Sequence, residues 1–184
     1  MERVRAWLLR GAASSILAAV LLTPTSARAF ERQWHVGVDA GYAQLFGQGA
    51  SPGFGGGAHL AYGMTDTFNA LVELDLSRHP NASSTVYNAA AGFAYTFDVA
   101  QAVPYAGFLA GPYLTRGDVE KTAFMFQFAL GLDYLIERNW AIGLQIRVPI
   151  ASLTPDARTV FSVSQDDTNG YATTMLRVEY LWGF

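Results

Sequence analysis

From Trp34 onward the chain alternates large apolar residues with polar or small ones at a period of two, the signature of strands with one apolar and one polar face. Eight such stretches are predicted. In 33–46, Trp34, Val36, Val38, Ala40 and Tyr42 oppose His35, Gly37, Asp39 and Gly41. The stretch 54–64 is glycine-rich, with Leu60, Tyr62 and Met64 opposite His59. In 68–79, Phe68, Ala70, Val72, Leu74 and Leu76 oppose Asn69, Leu71, Glu73, Asp75 and Ser77, and in 86–97 Ala89, Ala91, Phe93, Tyr95 and Phe97 oppose Asn88, Gly92 and Thr96. The fifth, 103–115, has apolar residues on both faces, and its Pro104 and Pro112 call for a bulge or a strand end. The sixth, 122–136, runs Phe124, Phe126, Phe128, Leu130, Leu132, Tyr134 against Gln127, Gly131 and Asp133. The seventh, 140–150, sets Trp140, Ile142, Leu144, Ile146 and Val148 against Gly143, Gln145 and Arg147. The last, following residue 170, carries Leu176, Val178, Tyr180, Trp182 and Phe184 on one face with Arg177, Glu179 and Gly183 between them.

The connections add a second signal. Those at 47–53, 80–85, 116–121 and 151–170 read as long, whereas 65–67, about 98–102, and 137–139 read as tight turns. Long loops at one end and short turns at the other are the asymmetry of a membrane barrel, with both chain ends on the short-turn side. Aromatic residues gather near strand ends, as two interfacial girdles require: Trp34, Phe68, Phe97, Tyr105, Trp140, Trp182 and Phe184 toward one end, and Tyr42, Phe46, Phe54, Tyr87, Tyr113 and Tyr171 toward the other.

The amino-terminal segment stands outside this rhythm. Arg3, Arg5 and Arg10 precede an apolar run, 12–22, and then Ala27-Arg28-Ala29, a small-x-small cleavage motif. The expectation is a secretory signal peptide over 1–29, cut before Phe30, and one domain over 30–184. The run is too short to span a bilayer as a helix, which takes about 20 residues. Its removal takes four of 12 Lys+Arg and one of 15 Asp+Glu, leaving 8 basic and 14 acidic residues and a net charge of −6, which argues against a nucleic-acid partner. There is no cysteine, hence no disulfide and no cysteine for a lipid anchor.

With the closing Val178-Glu-Tyr-Leu-Trp-Gly-Phe184, the turn Tyr62-Gly-Met-Thr-Asp-Thr-Phe68, Pro104-Tyr-Ala-Gly-Phe108 and Asn139-Trp-Ala-Ile-Gly-Leu144, the chain resembles the eight-stranded outer-membrane protein β-barrel family of Gram-negative bacteria. The resemblance covers the whole of 30–184. It implies an all-β, antiparallel, up-and-down transmembrane barrel in the cell outer membrane. It also implies that Tyr180, Trp182 and Phe184 act as the signal read by the barrel-assembly machinery, and it makes outer-membrane lipids and lipopolysaccharide the surroundings of a monomer.

Alternation alone does not tell an inside-out barrel from a lipocalin-like periplasmic one, in which the apolar face would surround a ligand. The strand-end aromatics, the loop asymmetry and the aromatic closing strand favour the membrane reading. The polar face then lines a lumen that eight strands leave just wide enough for side chains. Its long members are Asp39, His59, Glu73, Asp75, Gln127, Asp133, Gln145, Arg147, Arg177 and Glu179, with His35 nearby, expected to form a salt-bridged plug. Five acids face two arginines, which leaves open a narrow polar path or a cation site, with a protonated acid or a charged histidine as the other ways to balance the charge.

Candidate chemistry is sparse. Ser77-Arg-His79-Pro-Asn-Ala-Ser83 faintly resembles the His/Ser pair of outer-membrane lipid A deacylases, where the serine follows the histidine by two residues on one strand face. Here Pro80 intervenes and Ser83 lies four residues on, so a rim histidine beside a polar loop explains the cluster better. His35, His59 and His79 lie on different strands without metal-ligand spacing, and no nucleotide motif is present. Asp166 and Asp167, in the longest loop, are expected to be solvated rather than to hold a divalent ion. The expectation is therefore a structural or surface-interaction barrel without catalytic residues, metal or cofactor. The alternatives are a small binding or transport barrel for an amphipathic ligand and a lipid A-modifying enzyme.

Overall fold

A computed structural model describes residues 32–46, 50–97, 101–118, 120–153 and 171–183. The expected signal peptide, Phe184 and the Asp166–Asp167 pair lie outside these residues. Eight strands follow one another: β1 (Trp34–Leu45), β2 (Ser51–Gly63), β3 (Phe68–His79), β4 (Ser84–Thr96), β5 (Ala102–Gly117), β6 (Lys121–Glu137), β7 (Trp140–Leu153) and β8 (Tyr171–Trp182). Each pairs antiparallel with its neighbours, and β8 returns to β1, from Trp34 opposite Trp182 to Leu45 opposite Tyr171. Closure leaves no strand edge, so every ladder can be satisfied without water. Among the described residues no helix is long and apolar enough to cross a membrane.

The period-two pattern becomes an inside-out barrel. Val38, Leu74, Phe93, Leu132, Ile146 and Leu176 are exposed on the outer wall, whereas Asp39, Glu73, Asp75, Arg147, Arg177 and Glu179 are buried within. That excludes the lipocalin-like arrangement. At the end where Trp34 and Trp182 lie, here the near end, the outer wall carries a belt of touching rings. Trp34 meets Tyr62 and Trp182, Tyr180 lies between Trp182 and Trp140, and Tyr95 packs on Phe68 and Phe97.

The facing left open for β5 is resolved, and three expectations are corrected. Strand β5 faces outward with Pro104, Phe108 and Pro112 and inward with Val103, Tyr105, Leu109, Tyr113 and Thr115. Pro112 sits in mid-strand without a bulge, because the β4–β5 and β5–β6 registers run unshifted past it. The bulges lie in β6–β7 instead, one where Gln127 faces Pro149 and Phe126 faces Ala151, the other at the Leu135–Glu137 turn; a proline that cannot donate to the ladder suits the first. Tyr105, Tyr113 and Tyr171 leave the expected girdles and point into the lumen. Finally, the loop asymmetry reduces to one long connection, 154–170. Strands β2, β4, β5 and β6 extend into the other expected loops, and Pro80–Ala82 forms a single 3₁₀ turn.

The near-end turns are held by side chains. Thr65 Oγ1 accepts from the backbone N–H of Thr67 (3.3 Å) and Phe68 (3.0 Å). Asn139 donates from Nδ2 to the Leu181 carbonyl at 2.8 Å, fastening the β6–β7 turn to the closing strand.

Inside, apolar layers bracket a charged middle. Leu45, Val86, Tyr113, Met125 and Tyr171 pack together toward the far end, and Val103, Leu135, Ala141 and Leu181 toward the near end.

Candidate functional site

The lumen charges come from inward positions of different strands, and register decides which of them meet. Asp39 on β1 lies directly opposite Arg177 on β8, and His59 on β2 lies opposite Glu73 on β3. Long side chains need space in so narrow a tube, and glycine supplies it. A Cβ on Gly37 would collide with the His59 ring, one on Gly57 would stand 2.6 Å from Asp75 Oδ1, and one on Gly131 would enter the Tyr105 ring.

Two clusters result. In the first, Arg147 on β7 forms a two-pronged pair with Asp75, Nη1 to Oδ2 at 2.5 Å and Nη2 to Oδ1 at 2.7 Å. Its Nη1 also lies 2.7 Å from Glu73 Oε2, and its Nε donates to Thr173 Oγ1 at 3.2 Å. Amides complete the shell. Asn88 donates to Asp75 at 3.1 Å, Gln127 to Asn88 at 3.0 Å, and Gln145 to the other oxygen of Glu73 at 2.8 Å. Arg147 is 1% exposed, so its charge depends entirely on these partners.

In the second cluster Arg177 Nε lies 3.2 Å from Asp39 Oδ1 and Nη2 lies 3.2 Å from Glu179 Oε1, while Nη1 donates to the Tyr105 hydroxyl. His59 bridges the same two acids, Nδ1 to Asp39 at 2.8 Å and Nε2 to Glu179 at 2.9 Å. A neutral imidazole donates from one nitrogen only; an imidazolium, with a donor on each, satisfies both contacts. His35 Nδ1 reaches Glu179 Oε2 at 3.3 Å. Glu73 joins the clusters, its Oε1 lying 3.9 Å from Arg177 Nη2.

Nine of the ten expected lumen residues thus meet in one network. Asp133 does not: among the described residues it forms no ion pair, and its Oδ1 has no hydrogen-bond partner. It lines a near-end cavity of about 30 Å³ with Asn69, Thr96, Tyr105, Arg177 and Glu179. That volume holds on the order of two waters. Asn69 Oδ1 there is also without a hydrogen-bond partner. Sequence reasoning left out Tyr105, Asn88 and Thr173 as network members. Asn88 lay on a polar face already identified, whereas Tyr105 was hidden by the two-faced pattern of β5.

The histidine expected at the rim is buried inside. His79 donates from Nδ1 to the Ser51 carbonyl at 2.9 Å, which leaves Nε2 to accept from Ser77 Oγ, also at 2.9 Å. The partner is Ser77 and not Ser83, which occupies a left-handed backbone position (φ 43°) after the 3₁₀ turn. Ser77 and His79 are both fully buried, and Tyr171 lies edge-on over the His79 ring. No acid joins this pair among the described residues, and no group of three or more potential ligands there could hold a metal ion.

A family model described as "outer membrane protein beta-barrel domain" matches residues 13–184. No curated protein matches by sequence. Among solved structures, the neisserial surface protein A superposes with a TM-score of 0.62 at 17% identity, over 82% of this chain and 97% of that one. The amino-terminal β-barrel domain of Pseudomonas aeruginosa OprF gives 0.54 at 13% identity, over 83% and 98%. The attachment invasion locus protein of Yersinia pestis gives 0.55 at 10% identity, over 83% and 99%. At such identities the likeness concerns the fold: a closed eight-stranded transmembrane barrel.

Proposed function

The chain belongs to the outer-membrane protein β-barrel domain family and so resides in the outer membrane of a Gram-negative envelope, and from that premise we propose that it is a monomeric, non-porin barrel that anchors and presents its far-end connections at the cell surface. The observation that carries this reading is the unbroken ionic plug from Arg147 through Glu73 to Arg177, which fills the bore in place of an aqueous path. The near-end cavity, of about two waters, offers no room for an amphipathic ligand. We assign no catalytic role to the Ser77–His79 pair, since neither side chain reaches solvent.

In this reading the 154–170 connection, the longest, is the presented surface. Two of the structurally similar proteins carry names that speak of surface and attachment, which agrees with such a role. Tyr180, Trp182 and Phe184 would be read by the barrel-assembly machinery, and the signal peptide over 1–29 would direct export and be cleaved before Phe30. The decisive experiment combines gel mobility with and without boiling and conductance of the purified protein in planar bilayers. A mobility shift with no sustained unitary conductance is expected. Open-channel currents in the wild-type protein would overturn the non-porin reading, and identical mobility with recovery in the soluble periplasm would overturn the membrane assignment itself.

A further inference from the structure

The outer wall is not uniform. On β2 to β5, toward the far end, it is indented by a groove of about 380 Å³ whose lining is mostly apolar, with Leu74, Leu76, Tyr87, Ala89, Pro112 and Leu114, and also includes β2 glycines and the polar Asp75 and Asn88. Register explains the shape. Leu76, Tyr87 and Leu114 form one cross-strand row, and in the next row toward the near end Leu74 is followed by the smaller Ala89 and Pro112. Large side chains therefore rim a shallow trough.

One row toward the far end, the outward chemistry changes. Arg78 lies opposite Thr85, and Thr85 lies opposite Arg116, so two guanidinium side chains stand on alternate strands directly above the trough. Both are exposed, and both share the outward side of their strands with the groove residues. Their backbones are about 10 Å apart across two strand spacings, a separation two arginine side chains can close onto one phosphate group. Among the described residues Arg78 has no acidic partner. Arg116 has only the solvent-exposed Glu120, 3.9 Å away, a pairing of little strength.

We infer that this face is a binding site for a phosphorylated, multiply acylated lipid of the outer leaflet, with an acyl chain in the Leu74–Leu114 groove and its phosphate between Arg78 and Arg116. The charge complementarity selects the occupant. A neutral lipid would fill the trough but leave both arginines at the edge of the apolar band without a counter-charge, whereas an anionic head group directly above an acyl chain satisfies both. The inference rests on the far end being the outward-facing end, as in the proposed function.

The test uses the full-length protein, folded and purified in detergent, and native mass spectrometry with three probes: bisphosphorylated lipid A, the same lipid dephosphorylated, and phosphatidylglycerol. Wild type should retain lipid A and bind the dephosphorylated form at least tenfold more weakly, with phosphatidylglycerol between them. Arg78→Ser/Arg116→Ser should cost at least tenfold in lipid A retention, Arg78→Lys/Arg116→Lys should keep most of it, and Ala89→Trp, which fills the groove, should lower retention of all three probes. Each variant is first shown to be closed by its mobility shift on boiling. Equal retention by wild type and the double serine variant, or equal binding of phosphorylated and dephosphorylated lipid, would overturn the site. Full retention by Ala89→Trp would overturn the placement of the chain. None of these outcomes bears on conductance or membrane location, so failure here is distinguishable from failure of the proposed function.

Discussion

The two halves of the lumen solve the same problem differently. Around Arg147 every charge has a partner of opposite sign or an amide donor, the unpartnered oxygens being those of the neutral Gln127 and Tyr171, and the arginine is sealed by apolar side chains above it. Around Arg177 the acids are shared with His59 and His35, a tyrosine hydroxyl takes one guanidinium N–H, and a cavity with unpartnered oxygens on Asp133 and Asn69 lies alongside. The first half is a closed ionic core, the second a looser one with redundant cations and room for water. A buried pair is strongly destabilising when one partner is removed without a substitute, and much less so when a second cation or water can take over.

Arg147→Ala should therefore be the most damaging single change. It strands Asp75 and Glu73, and the loss should be about 3–5 kcal/mol in equilibrium unfolding from lipid vesicles, followed by tryptophan fluorescence. Arg177→Ala should cost about 2–3 kcal/mol in the same assay, because His59 remains between Asp39 and Glu179. An equal or larger loss for Arg177 would erase the distinction between the halves. Gly37→Val should cost about 1–3 kcal/mol by crowding the His59 ring and the Val178 carbonyl, with the ring's share of the deficit recovered when His59→Ala is added; an additive pair would show that the glycine acts independently of the ring. Ser77→Ala should cost about 1 kcal/mol, the worth of the hydrogen bond to His79. Asp133→Asn should lie within about 0.5 kcal/mol of wild type, since no ion pair is lost.

Most of the barrel was legible because period-two alternation survives in seven of the eight strands, and each alternation fixes a facing. Strand β3 was predicted with its observed ends, and parity puts Asp39, Glu73, Asp75, Arg147, Arg177 and Glu179 on one face, which becomes the inward one once the strand-end aromatics and the closing strand assign the other face to lipid. Strand β5 resisted because a packed lumen accepts apolar residues as well as the lipid does. Leu109 and Tyr113 look inward, Phe108 looks outward, and hydrophobicity cannot separate them. The individual partnerships were not legible either. That Glu73 links both arginines depends on stagger between strands distant in sequence, which no local pattern encodes, whereas Ser77 and His79 are local neighbours, two residues apart on one face of β3. The rim arginines were passed over for a related reason: Arg78 and Arg116 become neighbours only through Thr85 on the strand between them.

The pairing of β1 with β8 carries a consequence in time. The partners on this seam, such as Val36 with Tyr180, are separated by nearly the whole barrel sequence. Until β8 has been made and delivered, β1 presents an open row of amides and carbonyls, and Arg177 is missing from the cluster that Asp39 and His59 await. The sheet cannot mature strand by strand from its amino-terminal side into a state that tolerates hydrocarbon. Its last-formed contacts are also those that complete its charge balance, so escape from a half-inserted state and neutralisation of the bore should occur as one event, slow and all-or-none.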